Sequence, residues 1–407
     1  MTRHASTQTL PAPGSGSSWL KPLFERLGGL RTGSLELRLP DGAVHRFAGL
    51  RHGPSAQLQV KRWRALWRLA WGGDVGFGEG YRDGDWDSDD VTALLTLAAL
   101  NRDALDGLFH GRGAGRWLRR GLHLLRDNSR IGSRRNIRAH YDIGNDFYRL
   151  WLDLDLNYSA ALFGGDRQRS LDVAQEAKHD RILERLGVRA GQTVLEVGCG
   201  WGAFARRAAA TRGCLVDAIS LSREQLRLAR RTAAEAGLSD LTSYDYRDYR
   251  DVTGQYDHAV SIEMFEAVGE RHWEGYLARL HAAVRPGGRA VVQSITIDDA
   301  LFDDYRQRSD FIQRYIFPGG MLPSPSRFQA LAGQAGWRLL DDFGFGLDYA
   351  ETLRRWGAAF DAAAPGLERL GYDAPFRRLW RYYLAYCEAG FRAGSIDVHQ
   401  YTLERAG

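Results

Sequence analysis

The sequence predicts an α/β protein in which a doubly wound parallel sheet follows a smaller α+β unit. Three observations carry that expectation. From about Asp172 onward, short apolar strands alternate with helical stretches of about 10–15 residues, the pattern of βαβ units rather than of hairpins. Glycines at 198, 200 and 202 stand where one of those strands gives way to a helix, as in Rossmann-like folds. Ahead of this region, Arg112 to Arg138 hold nine arginines and a single acid, Asp127, which separates two regions of different texture.

The elements follow in order. Residues 1–18 lack an apolar core and read as a disordered tail, not as a signal peptide. Residues 19–110 form the first unit. LELRLPDG and AVHRFAGL make a hairpin turning at Pro40-Asp41-Gly42, and VKRWRALWRLAW makes an amphipathic helix. The stretch GDVGFGEGYRDGDWDSDD then reads as a loop. Asp87, Ser88 or Asp89 would cap the next helix, VTALLTLAALNRDALDGLF. Residues 111–138 read as a linker or basic helix, and residues 139–407 as the catalytic unit. Within it come the helix VAQEAKHDRILERLG, the strand TVLEVGCG, the helix GAFARRAAATR, the strand LVDAISLS and the helix REQLRLARRTAAEAG. LTSYDYRD, the strand YDHAVSIE, a helix near RHWEGYLARLHAAV and the strand RAVVQSIT complete the pattern.

Composition bounds the function. A chain of 407 residues with 44% hydrophobic and 11% aromatic residues can build real cores, which excludes a disordered or fibrous protein. Three scattered cysteines exclude a disulfide framework and fit a reducing, cytoplasmic setting. No apolar run approaches the 18 or so residues that span a bilayer. The net charge of +5 is uneven: residues 1–140 hold 22 Lys and Arg against 13 Asp and Glu. Such a block suits a polyanion, either nucleic acid or an anionic lipid surface. With only three lysines in the chain, an arginine-rich bias accounts for part of it. Nothing in residues 1–140 resembles a base-reading motif or a stacking platform, so no nucleic acid is expected.

The chemistry centres on Val194-Leu195-Glu196-Val197-Gly198-Cys199-Gly200-Trp201-Gly202. Glycines here permit a tight turn and close approach of a ligand to backbone and helix N-terminus. The spacing is not GxGxxG, and no P-loop lysine follows. An acid two residues before the first glycine matches the E/D-x-G-x-G-x-G loop of S-adenosylmethionine-dependent methyltransferases. At the end of the second strand, where that class usually carries an acid, stands Ser220, with Gln225 one helical turn on and Asp217 turned away.

Upstream, AHYDIGNDFYRLWLDLDLNYSAALF (139–163) is followed by VLEVGCGWG, ISLSREQ, DYRD (245–248), SIEMFEAVGE, YIFPGGMLPS (315–324), FGLDYAETL and FRAGSIDVHQ. In this order the segments closely resemble cyclopropane-fatty-acyl-phospholipid synthases and mycolic acid cyclopropane synthases. GFGEGYRDGDWD is similar to the N-terminal domain of the full-length synthases. The resemblance implies a class I methyltransferase fold and methyl transfer to a cis double bond of a phospholipid acyl chain. A carbocation forms and a bound bicarbonate removes a proton to close a cyclopropane ring. It implies S-adenosylmethionine contacts from Tyr158, Ser159, Gly198, Gly200, Ser220, Gln225 and Tyr246, beside the loop residues Glu196 and Gly202. It also implies that Glu266, Tyr349 and the amides of Ala160 and Ile295 hold bicarbonate. A homodimer working peripherally at the inner, anionic face of a membrane is the further expectation.

For Phe163, Phe311, Tyr315 and Phe317, core packing and an acyl-tunnel role both stand, whereas Met264 and Met321 read as packing. Tyr141 and Asp142 belong to the matched motif without an assigned role. Three positions depart from the family: Ala160 for a cysteine, Gln293 for a histidine, and Ala267 for a histidine. Gln293 still hydrogen-bonds but does not titrate. The bicarbonate site is then weaker, or the cation loses a different proton and gives a methyl-branched or methylene chain. A small-molecule methyltransferase on the same fold is the other alternative.

Overall fold

The structure, a computed structural model, describes residues 18–105 and 143–407. The basic block, with Arg116, Arg119 and Arg120, and the pair Tyr141 and Asp142 lie outside the described residues.

Two sheets organise the chain. The first has the order β2-β1-β3-β4, from β1 (Thr32–Arg38), β2 (Val44–Ala48), β3 (Arg51–Val60) and β4 (Trp86–Asp87). β1 and β2 are the expected hairpin, with Leu35 opposite Phe47 and Gly42 at a φ of +87° in the turn. Leu35, Leu37, Phe47 and Leu58 are buried under the helix Val91–Leu100.

The second sheet has the order β10-β11-β9-β8-β5-β6-β7. Its strands are β5 (Thr193–Val197), β6 (Leu215–Ser220), β7 (Thr242–Tyr246), β8 (Tyr256–Ile262), β9 (Val284–Ile297), β10 (Trp337–Gly344) and β11 (Ile396–Arg405). The five strands from β9 to β7 are parallel and doubly wound as expected. The topological switch lies at β5, between β6 and β8, so the ligand crevice opens at the carboxyl end of β5. β11 runs antiparallel on β9, and β10 antiparallel on β11. The sequence reading did not foresee these two strands: β10 is largely exposed beyond the buried Trp337, which suits an edge but not a buried parallel strand.

Two expectations in the first unit need correction. The stretch beginning at Gly73 is not a loop: one helix runs Arg64–Arg82, kinked at Gly73. Its glycines serve packing. A Cβ at Gly76 would fall 2.1 Å from the Arg68 carbonyl oxygen, and one at Gly78 would fall 2.5 Å from the Phe311 ring. Close approach therefore outweighs the low helix propensity of glycine. The cap of the following helix is Asp90, whose carboxylate accepts the Ala93 amide at 2.8 Å, and not Asp87, Ser88 or Asp89.

Gly78 matters because it joins the units. The helix Ala374–Arg392 packs on both long helices of the first unit, Phe311 and Tyr382 press on Gly78, and Arg378 donates to the Tyr81 and Trp86 carbonyls. The helical layer over the second sheet thus continues into the first unit. No helix among the described residues is long and apolar enough to cross a membrane.

Candidate active site

A cavity of about 880 Å³ opens at the carboxyl ends of β5, β6 and β8. Its walls are mostly apolar, and they divide into a polar cleft beside the glycine loop, a central cluster of carboxylates, and an aromatic arm that reaches the first unit.

The cleft follows from the strand–turn–helix unit. After Val197 the chain turns through Gly198, Gly200 and Gly202, with φ of +84°, +51° and +80°, and the helix Ala203–Arg212 begins. These backbone states suit glycine only. The three glycines differ in what a side chain would meet. At Gly202 a Cβ would lie 2.7 Å from the Tyr244 ring, and at Gly198 it would lie 3.0 Å from Met264. At Gly200 it would meet nothing within 4 Å. Gly198 and Gly200 line the cavity, and Gly202 packs behind it.

At the end of β6, the Ser220 hydroxyl donates to Gln225 Oε1 at 3.3 Å and accepts the Ser222 amide at 3.1 Å. Ser222 caps the helix Arg223–Glu235, which presents Gln225 to the cavity. Asp217, three residues before Ser220 in β6, is outside the cavity lining and is engaged by Arg247 and Ser243, as expected of a residue turned away. Glu196 lines the cleft, and burial pushes its carboxyl up to about 8. Its Oε2 has no hydrogen-bond partner among the described residues. A buried, unpartnered carboxyl oxygen and an unfilled glycine turn suit a ligand that carries a cationic amine and approaches the backbone closely. S-adenosylmethionine is such a ligand. Of its expected contacts, Tyr158, Ser159, Glu196, Gly198, Gly200, Ser220 and Gln225 converge on the cavity. Tyr246 lies outside the lining, at the end of β7 under the Arg223 guanidinium.

The central cluster holds two glutamates, one of which the sequence reading did not single out. Glu263 follows β8 at a φ of +52°, one of two positive values among the described non-glycine residues. Its Oε1 accepts the Ala160 amide and the Gln293 amide group, both at 2.8 Å, and its Oε2 accepts the Tyr349 hydroxyl at 2.6 Å. Glu266 lies on the next short helix, Phe265–Val268, where its Oε1 accepts the Ile295 amide and the Ser294 hydroxyl. Its Oε2 is buried and unpartnered among the described residues. Burial, and then the charge of Glu263, push the Glu266 carboxyl up to about 8. Burial raises Glu263 too, but three donors and the nearby Lys178 charge oppose it. Glu266 is therefore the member held protonated near neutral pH, and Glu263 carries more of the interactions that favour a charged carboxylate.

The expected donor set is thus assembled, but around a side chain. Ala160, Tyr349 and Gln293 all donate to Glu263, and Ile295 donates to Glu266. These residues do not fit a bound bicarbonate: each donor assigned to that anion already serves a carboxylate of the chain. Ala160 and Gln293 stand behind Glu263, outside the lining, whereas Glu263, Glu266, Ala267, Ile295 and Tyr349 reach the cavity.

Lys178 is the second residue that sequence reasoning missed. It is fully buried on the helix Leu171–Leu186, and its Nζ donates to Ser159 Oγ and Gln175 Oε1, both at 2.6 Å. Burial lowers its pKa to about 8. An acid directly after a strand's carboxyl end, and a lysine at helical spacing between Ala174 and Ile182 in a chain with three lysines, were the available signals. In the aromatic arm, the Tyr158 hydroxyl bonds that of Tyr383 at 2.8 Å, and Phe317, Tyr382 and Tyr386 continue the wall. Phe163, Phe311 and Tyr315 are packing residues outside it, whereas Met264 and Met321 line the cavity instead of only filling core. Leu95, Ala98 and Leu105 of the first unit complete the arm.

Comparison with known proteins matches this geometry. A family model described as mycolic acid cyclopropane synthetase covers residues 128–401. The tuberculostearic acid methyltransferase UfaA1 of Mycobacterium tuberculosis is 41% identical over 93% of this chain and 86% of its own. The cyclopropane-fatty-acyl-phospholipid synthase of Escherichia coli K12 is 30% identical over 91% of this chain and 96% of its own. Among solved structures, mycolic acid cyclopropane synthase CmaA1 in complex with SAH and CTAB superposes with a TM-score of 0.63 at 31% identity. It covers 67% of this chain and 98% of that one.

Proposed function

The chain belongs to the mycolic acid cyclopropane synthetase family and is an S-adenosylmethionine-dependent methyltransferase; on that premise we propose that it methylates the cis double bond of an unsaturated phospholipid acyl chain. One observation carries the reading: the glycine loop, the carboxylate pair and an apolar, aromatic-walled arm share a single cavity. A soluble amine or phenol would not need that arm.

Bound S-adenosylmethionine supplies an electrophilic methyl on a sulfonium. The chain's residues do the rest. An alkene is a weak nucleophile, so the gain comes from holding it in line and excluding water, which the apolar arm does. Methyl addition leaves a positive charge on the neighbouring acyl carbon. The ring faces of Tyr158, Phe317 and Tyr383 and the charge of Glu263 stabilise it. The reaction ends when a C–H bond of the substrate breaks.

We favour a methylene product without ring closure. A carboxylate fixed beside the reacting carbons by three hydrogen bonds is a strong electrostatic partner for a cation. It extends the cation's life, so a hydride shifts to the neighbouring carbon before a methyl proton leaves. The likeness to a tuberculostearic acid methyltransferase supports this. Ring closure is the second reading, supported by the likeness to cyclopropane synthases. The net positive charge of residues 1–140 supports peripheral work at an anionic, cytoplasmic membrane face; the homodimer rests on the family resemblance alone.

The test uses methyl-labelled S-adenosylmethionine and vesicles of a cis-unsaturated phospholipid, with mass spectrometry and proton NMR of the released acyl chains. Label in the acyl chain with vinylidene protons supports the methylene product. Upfield ring protons support ring closure, and label confined to soluble small molecules rejects both.

A further inference from the structure

The disagreement between the donor set and a bound bicarbonate has a chemical consequence, which rests on the methyltransferase reading above. Three donors that could hold a small anion are aimed at one point: the Ala160 amide, the Gln293 amide group and the Tyr349 hydroxyl. A carboxylate of the chain occupies that point, and it does so from a backbone state that disfavours any side chain. Glu263 sits at φ +52°, where glycine would be free of strain. Its carboxylate faces the cavity shared with the glycine loop. Oε1 is saturated by two donors, whereas Oε2 accepts the Tyr349 hydroxyl alone among the described residues and keeps a lone pair for another proton.

We propose that Glu263 is a built-in general base, replacing a dissolved bicarbonate, so that turnover needs no added anion. In the step it performs, a C–H bond of the transferred methyl breaks. After the hydride shift, its electron pair becomes the second bond between that carbon and the adjacent cationic carbon, which gives the methylene product, and the proton passes to Glu263 Oε2. No oxidant or reductant is consumed. A proton next to a carbocation is strongly acidic, so a carboxylate suffices as its acceptor. Glu266 does not take this role: the three donors converge on Glu263, and burial, which pushes the Glu266 pKa up to about 8, keeps Glu266 protonated near neutral pH. It instead offers a neutral carboxyl to the cavity. Lys178, buried behind Ser159, contributes a positive charge that helps keep Glu263 ionised between turnovers.

The backbone state of Glu263 supplies a decisive variant. Glu263→Gly relieves the strained φ and empties the pocket while leaving all three donors in place. Rates are measured with labelled S-adenosylmethionine and cis-unsaturated vesicles, in buffer freed of carbon dioxide and again with sodium bicarbonate. The wild-type rate should stay within about twofold in the two buffers. Glu263→Gly should lose about 100-fold or more in carbon-dioxide-free buffer, the scale of a general base, and regain about tenfold with bicarbonate. Glu263→Gln, isosteric but neutral, should lose as much and regain little, because its amide still fills the pocket. Unchanged cofactor affinity in both variants shows that the fold is kept. A wild-type rate that climbs with bicarbonate, or a Glu263→Gly enzyme as fast as wild type without it, overturns the inference and leaves the methyltransferase reading intact. Wild-type enzyme that puts no label into lipid in either buffer overturns both.

Discussion

Gly200 and Gly202 belong to one loop, share a left-handed backbone state, and should respond to alanine in opposite ways. Both substitutions place a Cβ at positive φ, which costs about 1–2 kcal/mol; the stiffer unfolded chain returns about 0.4–1 kcal/mol. At Gly200 nothing else is lost, because the added methyl points into open space. At Gly202 the methyl would lie 2.7 Å from the Tyr244 ring and 3.0 Å from the Ala229 Cβ, between β7 and the helix Arg223–Glu235. Overpacking of this kind adds about 1–3 kcal/mol. Denaturant unfolding of the ligand-free protein should therefore show Gly200→Ala about 1 kcal/mol down and Gly202→Ala about 2–4 kcal/mol down. Calorimetric titration with S-adenosylmethionine should rank them the other way. Gly200→Ala fills the space that the ligand's approach requires and should lose about tenfold or more in affinity, or about 1.4 kcal/mol. Folded Gly202→Ala should bind within a few-fold of wild type. A Gly200→Ala protein with wild-type affinity would refute the assignment of the loop as cofactor cradle. Equal stability of the two variants would refute the packing argument.

Other perturbations reach the rest of the site. Glu266 has a raised pKa in the folded state, so its stability contribution is full at low pH and is lost as pH climbs from its ordinary value of 4.5 to about 8; melts across that window should show falling stability, with a shallower slope in Glu266→Gln. Lys178 has the opposite sign: its pKa falls from 10.5 to about 8, so stability gains as pH passes from about 8 upward, a gain that Lys178→Met should abolish. Lys178→Met also strands the Ser159 hydroxyl and the Gln175 carbonyl, and unfolding titrations near neutral pH should register a loss of about 1–3 kcal/mol. In the first unit, Asp85 is fully buried and answers Arg62, Arg64 and Arg68. Because those guanidiniums reach solvent, Asp85→Ala should cost about 3 kcal/mol, at the low end for breaking a buried ion pair; a loss below about 0.5 kcal/mol in chemical denaturation would show the cluster to be a surface effect.

Much of the catalytic sheet was legible because its short apolar strands alternate with helices of about 10–15 residues and are punctuated by glycine. Thr193–Val197 and the helix after it are such a case, and the glycine loop identified its ligand class from spacing and one acid. Legibility ended where tertiary contact overrides local preference. Helix Arg64–Arg82 keeps glycines at 76 and 78 because a carbonyl and an aromatic ring lie against them, and a sequence window contains neither. β10 is the exposed edge strand, and β11 joins the sheet antiparallel only by pairing with β9 and β10, partners far from it in sequence. In the site, resemblance placed Tyr349, Ala160, Ile295 and Glu266 together, but resemblance transfers a role, not an occupant. That Glu263 occupies the point where those donors aim depends on a positive φ just past β8, which emerges only when the chain is folded.

The central claim is that this cavity delivers a methyl group to an acyl double bond. The most direct measurement follows radiolabel from methyl-labelled S-adenosylmethionine into two matched vesicle preparations, one with cis-unsaturated and one with fully saturated phospholipid. The account predicts label in the acyl chains of the first and none in the second. Equal labelling of both, or label recovered in the headgroup, would contradict it.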